Sequence, residues 1–203
     1  MIITISNEYG SGALAVAKRV ADALRYEYVD QQLPVVVAKR LHVTPEAVEA
    51  QEDTGRSLGE RLLSELERAT PELAEASAIE PFDDELFRAL QAAVREYAAR
   101  GNAVIVGRGA SAILGPRPDV LRVFIRAPRQ WRVERVARAT RTRPEVVEAE
   151  LERVDRARAA YIKERYGLTF GDPADYDVCL DASRLDSAQC AAILVAAVRA
   201  RGA

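Results

Sequence analysis

Ile2-Ile3-Thr4-Ile5-Ser6-Asn7-Glu8-Tyr9-Gly10-Ser11-Gly12-Ala13, continued by a regular run to Leu24, decides how the rest of the chain is read. Ile2 to Ile5 is a short β-branched apolar run, the kind that fills a strand covered on both faces. Beyond Gly12 the apolar residues Ala13, Val16, Ala17, Val20, Ala21 and Leu24 recur at three- and four-residue steps, which predicts a helix with one buried face. The two glycines between them open backbone angles that side chains disfavour. A buried strand, a glycine turn and a helix start are the parts of a phosphate cradle: loop amides turn inward and the positive helix end faces the anion. The same turn also fits a plain connection in which glycine serves packing alone. Against the pattern G-x-x-x-x-G-K-[ST], aligned on Gly12, the first glycine falls on Asn7, the lysine on Ala13 and the hydroxyl residue on Leu14.

Working outward, Tyr26 to Val29 reads as a second strand ending on Asp30. Gln31 to Leu41 is apolar at helical spacing, and Thr44-Pro45-Glu46 is a helix start. Gln51 to Pro81 is charged and alanine-rich, broken at Thr70-Pro71 and Glu80-Pro81, so residues 31–81 read as a helical insertion. Asp83-Asp84 is expected to cap a helix through Tyr97, stopped by Gly101-Asn102. Ala103 to Val106 is a further buried strand, followed by Gly107-Arg108-Gly109. Val120 to Ile125 is another, leading into helices over about 130–141 and from Pro144 to about Arg165. Tyr176 to Leu180 is the last strand, and Ser187 to Arg201 the closing helix. Strands alternating with helices imply an α/β fold with a parallel sheet covered on both faces. Ligands of such sheets bind beyond the carboxyl ends of the strands, where Gly10, Asp30, Arg108 and Ala127 fall.

Composition narrows the function classes. The 203 residues are 49% hydrophobic and 30% charged with a net charge of −2, a balance that fits one globular domain and gives no overall pull toward nucleic acid or membrane. No apolar run approaches the roughly 18 residues of a membrane span. The N-terminus begins directly on strand-like sequence, so no signal peptide is expected and the cytoplasm is the expected setting. Cys179 and Cys190 are expected as buried free thiols. With His42 the one histidine, no metal ligands are assigned. Lys18, Lys39 and Lys163 are the only lysines among 29 basic residues, so arginine dominates, densest between Arg117 and Arg165. Arginine is the side chain shaped for bidentate phosphate contacts.

Several stretches, in order, resemble one family. Ile2-Thr4-Ile5-Ser6 with Glu8-Tyr9-Gly10-Ser11-Gly12 resembles the opening of the cytidylate kinase-like family of P-loop proteins. Val104-Ile105-Val106-Gly107-Arg108-Gly109-Ala110 is similar to its second signature. Val123-Phe124-Ile125-Arg126-Ala127-Pro128, followed by Arg132, Glu134 and Arg135, is similar to its third. Asp155-Arg156-Ala157-Arg158 with Tyr161, then Gly171-Asp172-Pro173 and Tyr176 to Leu180, resembles its C-terminal part. The resemblance implies one P-loop kinase-like domain over 1–203, a three-layer α/β/α core with a nucleoside-monophosphate-binding insertion at 31–81 and an arginine-bearing lid at about 130–172. It further implies transfer of the γ-phosphoryl group of ATP to a nucleoside monophosphate, cytidylate being the namesake, with Mg²⁺ held mainly through phosphates. The family commonly has glycine at the lysine position, arginine where this chain has Asn7, and Gly-Arg-Glu where it has Ala13-Leu14-Ala15. A nucleotide-binding protein with little or no catalysis is the alternative those departures leave open.

On this resemblance Tyr9, Gly10, Ser11, Gly12 and Ala13, with Arg132 and Arg135, are candidates for the donor phosphates. Asp30, Gly107 and Arg108 are candidates for the acceptor, and Arg108, Asp155, Arg156 and Arg158 for catalysis. Each has a plainer reading. Arg108 can end a strand by pairing with a carboxylate, Asp30 can cap a helix, and Arg156 can belong to a solvated helix face. Arg129, Arg132, Arg135, Arg138 and Arg141, at steps of three, can form an exposed stripe. Trp131 reads as packing. Nucleotides are the only partners implied; an oligomer is not readable.

Overall fold

A computed structural model describes residues 1–30 and 79–202. In chain order the described elements are β1 (Ile2–Asn7), α1 (Ala13–Leu24), β2 (Glu27–Val29), α2 (Ile79–Arg100), β3 (Ala103–Val106) and α3 (Ala110–Leu114). They continue as β4 (Val120–Arg126), α4 (Arg129–Thr140), α5 (Pro144–Tyr166), β5 (Val178–Asp181) and α6 (Ser187–Arg201). The five strands are parallel in the order β2-β3-β1-β4-β5. β1 lies centrally, Ile5 beside Val106 on one flank and Val123 on the other.

Alternation along β1 sorts its side chains into two cores, since successive residues point to opposite faces. Ile3 and Ile5 join Val16, Val20 and Leu194 under α1 and α6. Ile2 joins Leu90, Val94 and Leu114 under α2 and α3. Both faces are covered, giving the three-layer P-loop α/β/α architecture. Ile2, Ile3 and Ile5 are at most 1% exposed, each burial contributing about 1.5–3 kcal/mol. This fixes β1, and with it the loop at its end.

The helices follow the periodicity closely, and their ends differ instructively. α2 begins at Ile79, not at an Asp83-Asp84 cap, with Pro81 inside its first turn. First-turn amides have no helical acceptor, so proline is tolerated there. Asp84 instead pairs with Arg165 of α5 at 2.7 Å. The short α3 has no apolar periodicity long enough to announce it. Arg25 and Arg141 close α1 and α4 in the left-handed conformation usually left to glycine. Asp186 and Gln189 form a reciprocal capping box on α6. Apart from its last residues, the insertion expected over 31–81 lies outside the described residues.

At the amino end of the sheet Asp177 accepts from the Arg122 amide at 2.8 Å and pairs with Arg122 and Arg201. Burial alone would raise its carboxyl, but these partners hold it below the usual range. The cysteines divide. Cys190 is fully buried as expected, whereas Cys179 is exposed, because its position in the edge strand β5 points away from the helical layer. No helix among the described residues is long and apolar enough to cross a membrane.

Candidate active site

The loop Glu8–Gly12 leaves β1 at the carboxyl end of the sheet. Gly10 and Gly12 have φ of +77° and +86°, left-handed values that cost other residues roughly 1 kcal/mol or more. Space is equally short. A Cβ on Gly10 would lie 2.9 Å from Val136 Cγ2, and one on Gly12 3.1 Å from an Arg135 nitrogen. Glycine is required at 10 by both its φ and the packing of α4 behind the loop, and at 12 by its φ, because the exposed Arg135 guanidinium can move aside.

The backbone accounting of this loop is one-sided. The Asn7 carbonyl accepts from Arg158 Nη1 at 2.9 Å, Tyr9 from Arg132 Nη1 at 2.9 Å and Gly10 from Arg135 Nη1 at 3.3 Å. Glu8 accepts from Asn7 Nδ2 and from the Ser11 amide. The Asn7, Tyr9 and Gly10 carbonyls thus face guanidinium groups from α4 and α5. The amides of Gly12, Ala13 and Leu14 open α1 and, as first-turn amides, find no acceptor within it. Ser11 is 1% exposed, and its Oγ has no hydrogen-bond partner among the described residues. A buried hydroxyl left unpaired costs about 1–3 kcal/mol. Here it stands at the mouth of a helix N-terminus, where an anion would satisfy it.

Behind the loop Arg132 is 6% exposed. Its Nε donates to the Ala127 carbonyl at 2.9 Å, and its Nη1 pairs with Asp155 Oδ2 at 2.6 Å. Asp155 Oδ1 accepts from the Tyr9 amide at 2.8 Å. Glu8 Oε2 accepts from the Ala127 amide at 2.9 Å and lies 3.5 Å from Arg132 Nε. Of the five arginines spaced by three along α4 and its cap, Arg132 is buried, while Arg129, Arg135, Arg138 and Arg141 are exposed. The stripe is real for four and wrong for one. Arg135 also lies over the Trp131 ring, 5.9 Å from its centre.

The second glycine turn, Gly107-Arg108-Gly109, has φ of +69°, +60° and +66°. Three consecutive left-handed residues throw the chain from β3 into α3, and Arg108 carries a strain the flanking glycines avoid. A Cβ on Gly109 would lie 3.0 Å from the Tyr166 ring. Tyr166 packs with Phe87 and Tyr161 at ring separations of 5.7 and 5.9 Å, and those two rings lie 6.5 Å apart. Burial pushes both phenols up, and the Arg108 and Arg165 charges oppose this at Tyr161. Beneath the two turns Ser111 Oγ donates to Thr4 Oγ1 at 2.8 Å and lies 3.2 Å from Ser6 Oγ.

The chain thus brings Tyr9, Gly10, Ser11, Gly12, Ala13, Arg132, Arg135, Asp155 and Arg158 together around the first loop, with Gly107 and Arg108 on the neighbouring strand end. Arg156 lies elsewhere, on the exposed face of α5 with its guanidinium on Glu152. Asp30 ends β2 and accepts from Tyr28 Oη at 3.2 Å; burial, then the Asp30 charge, pushes that phenol up to about 12. Ala13 packs in the core beneath the sheet, and Leu14 is 53% exposed. Sequence reasoning gave no role to Glu8, Ser111 or Tyr166. Glu8 had one signal, an acid directly after a buried strand; Ser111 acquires meaning through Thr4 and Ser6, and Tyr166 chiefly through Phe87 and Gly109, all more than fifty residues away. No group of three or more His, Cys, Asp or Glu side chains able to hold a metal occurs among the described residues.

The sequence profile described as the cytidylate kinase-like family matches residues 2–184. The chain belongs to this family. A cytidylate kinase from Haloarcula marismortui is 30% identical over 189 residues, spanning 92% of this chain and 83% of that protein. One from Natronomonas pharaonis is 29% identical, spanning 98% and 90%. Among solved structures, an uncharacterized protein from Eubacterium ventriosum superposes with a TM-score of 0.68 at 19% identity, covering 98% of each chain. A shikimate kinase from Bacteroides thetaiotaomicron superposes at 0.53 with 16% identity, also over 98% of each chain. At such identities the structural likeness speaks for the fold. In this chain the loop at 8–12 and the turn at 107–109 are the two glycine turns at the carboxyl ends of β1 and β3.

Proposed function

We propose that this protein is an ATP-dependent nucleoside monophosphate kinase with cytidylate as the leading acceptor. The observation that carries the reading is the loop at 8–12: its carbonyls are covered from behind, the helix-opening amides are left to a ligand, and Ser11 Oγ lacks a partner. Phosphoryl transfer asks a protein chiefly for positioning and charge stabilisation. Gly12, Ala13 and Leu14 amides and the Ser11 hydroxyl would hold the ATP phosphates. Arg108 would hold the acceptor monophosphate, one of whose oxygens attacks the γ-phosphorus as the bond to the β-bridging oxygen breaks and ADP leaves. Arg135 and Arg158, which hold the Gly10 and Asn7 carbonyls, would supply compensating charge in place of the ammonium absent at Ala13. Arg132 stays behind the loop, and Arg156 enters no step.

Kinase chemistry also calls for Mg²⁺, which would neutralise phosphate charge and orient the transferred group. Among the described residues the donor set offers it no protein cage: Glu8 and Asp155 are engaged by amides and Arg132, and Leu14 has no hydroxyl. A hydrated ion bound through the phosphates fits these residues. The proposed setting is the cytoplasm. A coupled assay with ATP·Mg and each nucleoside monophosphate in turn tests the reading. Turnover with at least one acceptor is expected, and none above an Arg108→Ala control would reject it. Ala13 and Leu14 favour a second reading, a nucleotide-binding protein without transfer; calorimetric binding in the absence of turnover would select it.

A further inference from the structure

Arg132 lies where a lid arginine would be expected to touch phosphate, yet its surroundings assign it different work. It is 6% exposed, and its guanidinium bonds to protein: the Ala127 and Tyr9 carbonyls and the Asp155 carboxylate. Asp155 uses its other oxygen on the Tyr9 amide. Tyr9 is therefore held at both ends of its peptide unit, the carbonyl by Arg132 and the amide by Asp155, and these two side chains are ion-paired with each other. Glu8 closes the circuit through the Ala127 amide. Four chain segments meet there: the loop, the end of β4, the start of α4 and the middle of α5.

We infer that Arg132 and Asp155 are positioning residues that fix the Tyr9 peptide, so that the Gly12–Leu14 amides already converge on the phosphate position before any ligand arrives. Neither touches the nucleotide. The inference rests on the phosphate-binding reading of the loop. It gives the chain a source of loop order that does not depend on a lysine within the loop. It also explains why a planar fork stands at 132: a lysine ammonium cannot span the Ala127 carbonyl, the Tyr9 carbonyl and the Asp155 carboxylate at once. Preorganised donors lower the cost of binding, and small misplacements are expensive.

The test uses inorganic tripolyphosphate without metal as the probe, with calorimetry for affinity and amide hydrogen exchange of the free protein for loop order. Arg132→Gln and Asp155→Asn should each speed exchange at residues 8–12 and weaken tripolyphosphate about tenfold or more. The double variant should be hardly worse than the poorer single one, because both cut the same circuit. Arg132→Lys should behave as Arg132→Gln. Lysine rescue, additive losses, weaker binding with unchanged exchange, or no change at all would each overturn the inference. Should Arg132→Gln fail to fold, Asp155→Asn, which leaves Arg132 its carbonyl contacts, reads the same circuit. Failure of the unaltered protein to bind tripolyphosphate would reject the proposed function instead, while the exchange comparison still decides whether the circuit orders the loop.

Discussion

The two glycine turns at the carboxyl end of the sheet do the same topological job by opposite means. Gly107-Arg108-Gly109 is shaped from within: three left-handed residues, closed by the Ala110 amide on the Gly107 carbonyl. Glu8–Gly12 is shaped from outside, by side chains more than a hundred residues away in the chain. The turn at 107–109 can form once β3 and α3 meet. The loop at 8–12 acquires its form only when α4 and α5 have docked, so its order reports on the packing of those two helices. Locally made and remotely made sites fail differently, and that difference can be measured.

The largest effect is expected at Gly10→Ala, which meets both the positive φ and the 2.9 Å approach to Val136. A loss of about 2–4 kcal/mol in chemical denaturation is expected, with nucleotide binding abolished; a near-neutral result would show that α4 yields and the loop is not shaped from behind. Asp177→Asn, at the opposite end of the sheet from both turns, provides the control. Its carboxyl sits below its ordinary value when folded, so its contribution is present above the unfolded pKa and is lost as pH falls through the folded one. The variant should cost about 1–3 kcal/mol at neutral pH, converge with the parent in acid, and leave tripolyphosphate affinity unchanged. Arg108 separates backbone from side chain. Arg108→Gly should be more stable than Arg108→Ala by about 1 kcal/mol, while both lose turnover by about a hundredfold; equal stabilities would mean the turn is not strained. The smallest shift in stability belongs to Ser11→Ala. Removing an unpaired buried hydroxyl should stabilise the free protein by up to about 1 kcal/mol while weakening tripolyphosphate several-fold. Destabilisation would show that the hydroxyl has a partner in the free state.

How much of this could be read beforehand follows the same division. Hydrophobic periodicity located every described strand and nearly every helix, since a three-layer sheet makes buried faces regular. It missed α3, too short to show a period, and the true start of α2. Gly107-Arg108-Gly109 was legible as a strand-end turn because its determinants are adjacent. At the first loop the glycines were legible but the arginines were not. Arg129, Arg132, Arg135, Arg138 and Arg141 carry the same local pattern, and only the position of α4 against Tyr9 singles out Arg132. Arg156 and Arg158, two residues apart on α5, likewise separate only in space, one on Glu152 and the other on the Asn7 carbonyl. Cys179 misleads for a similar reason, since being at the sheet edge is a property of the fold.

The hydroxyls of Thr4, Ser6 and Ser111 stand beneath both turns, Thr4 and Ser6 on β1 and Ser111 on α3. On the proposed function they would act as a ruler between the two seats: the gap across which a phosphoryl group would have to pass is set below the site, by hydroxyls that link β1 to α3. Changes at these positions should therefore alter reach before they alter grip, leaving each half of the site intact but at the wrong distance from the other.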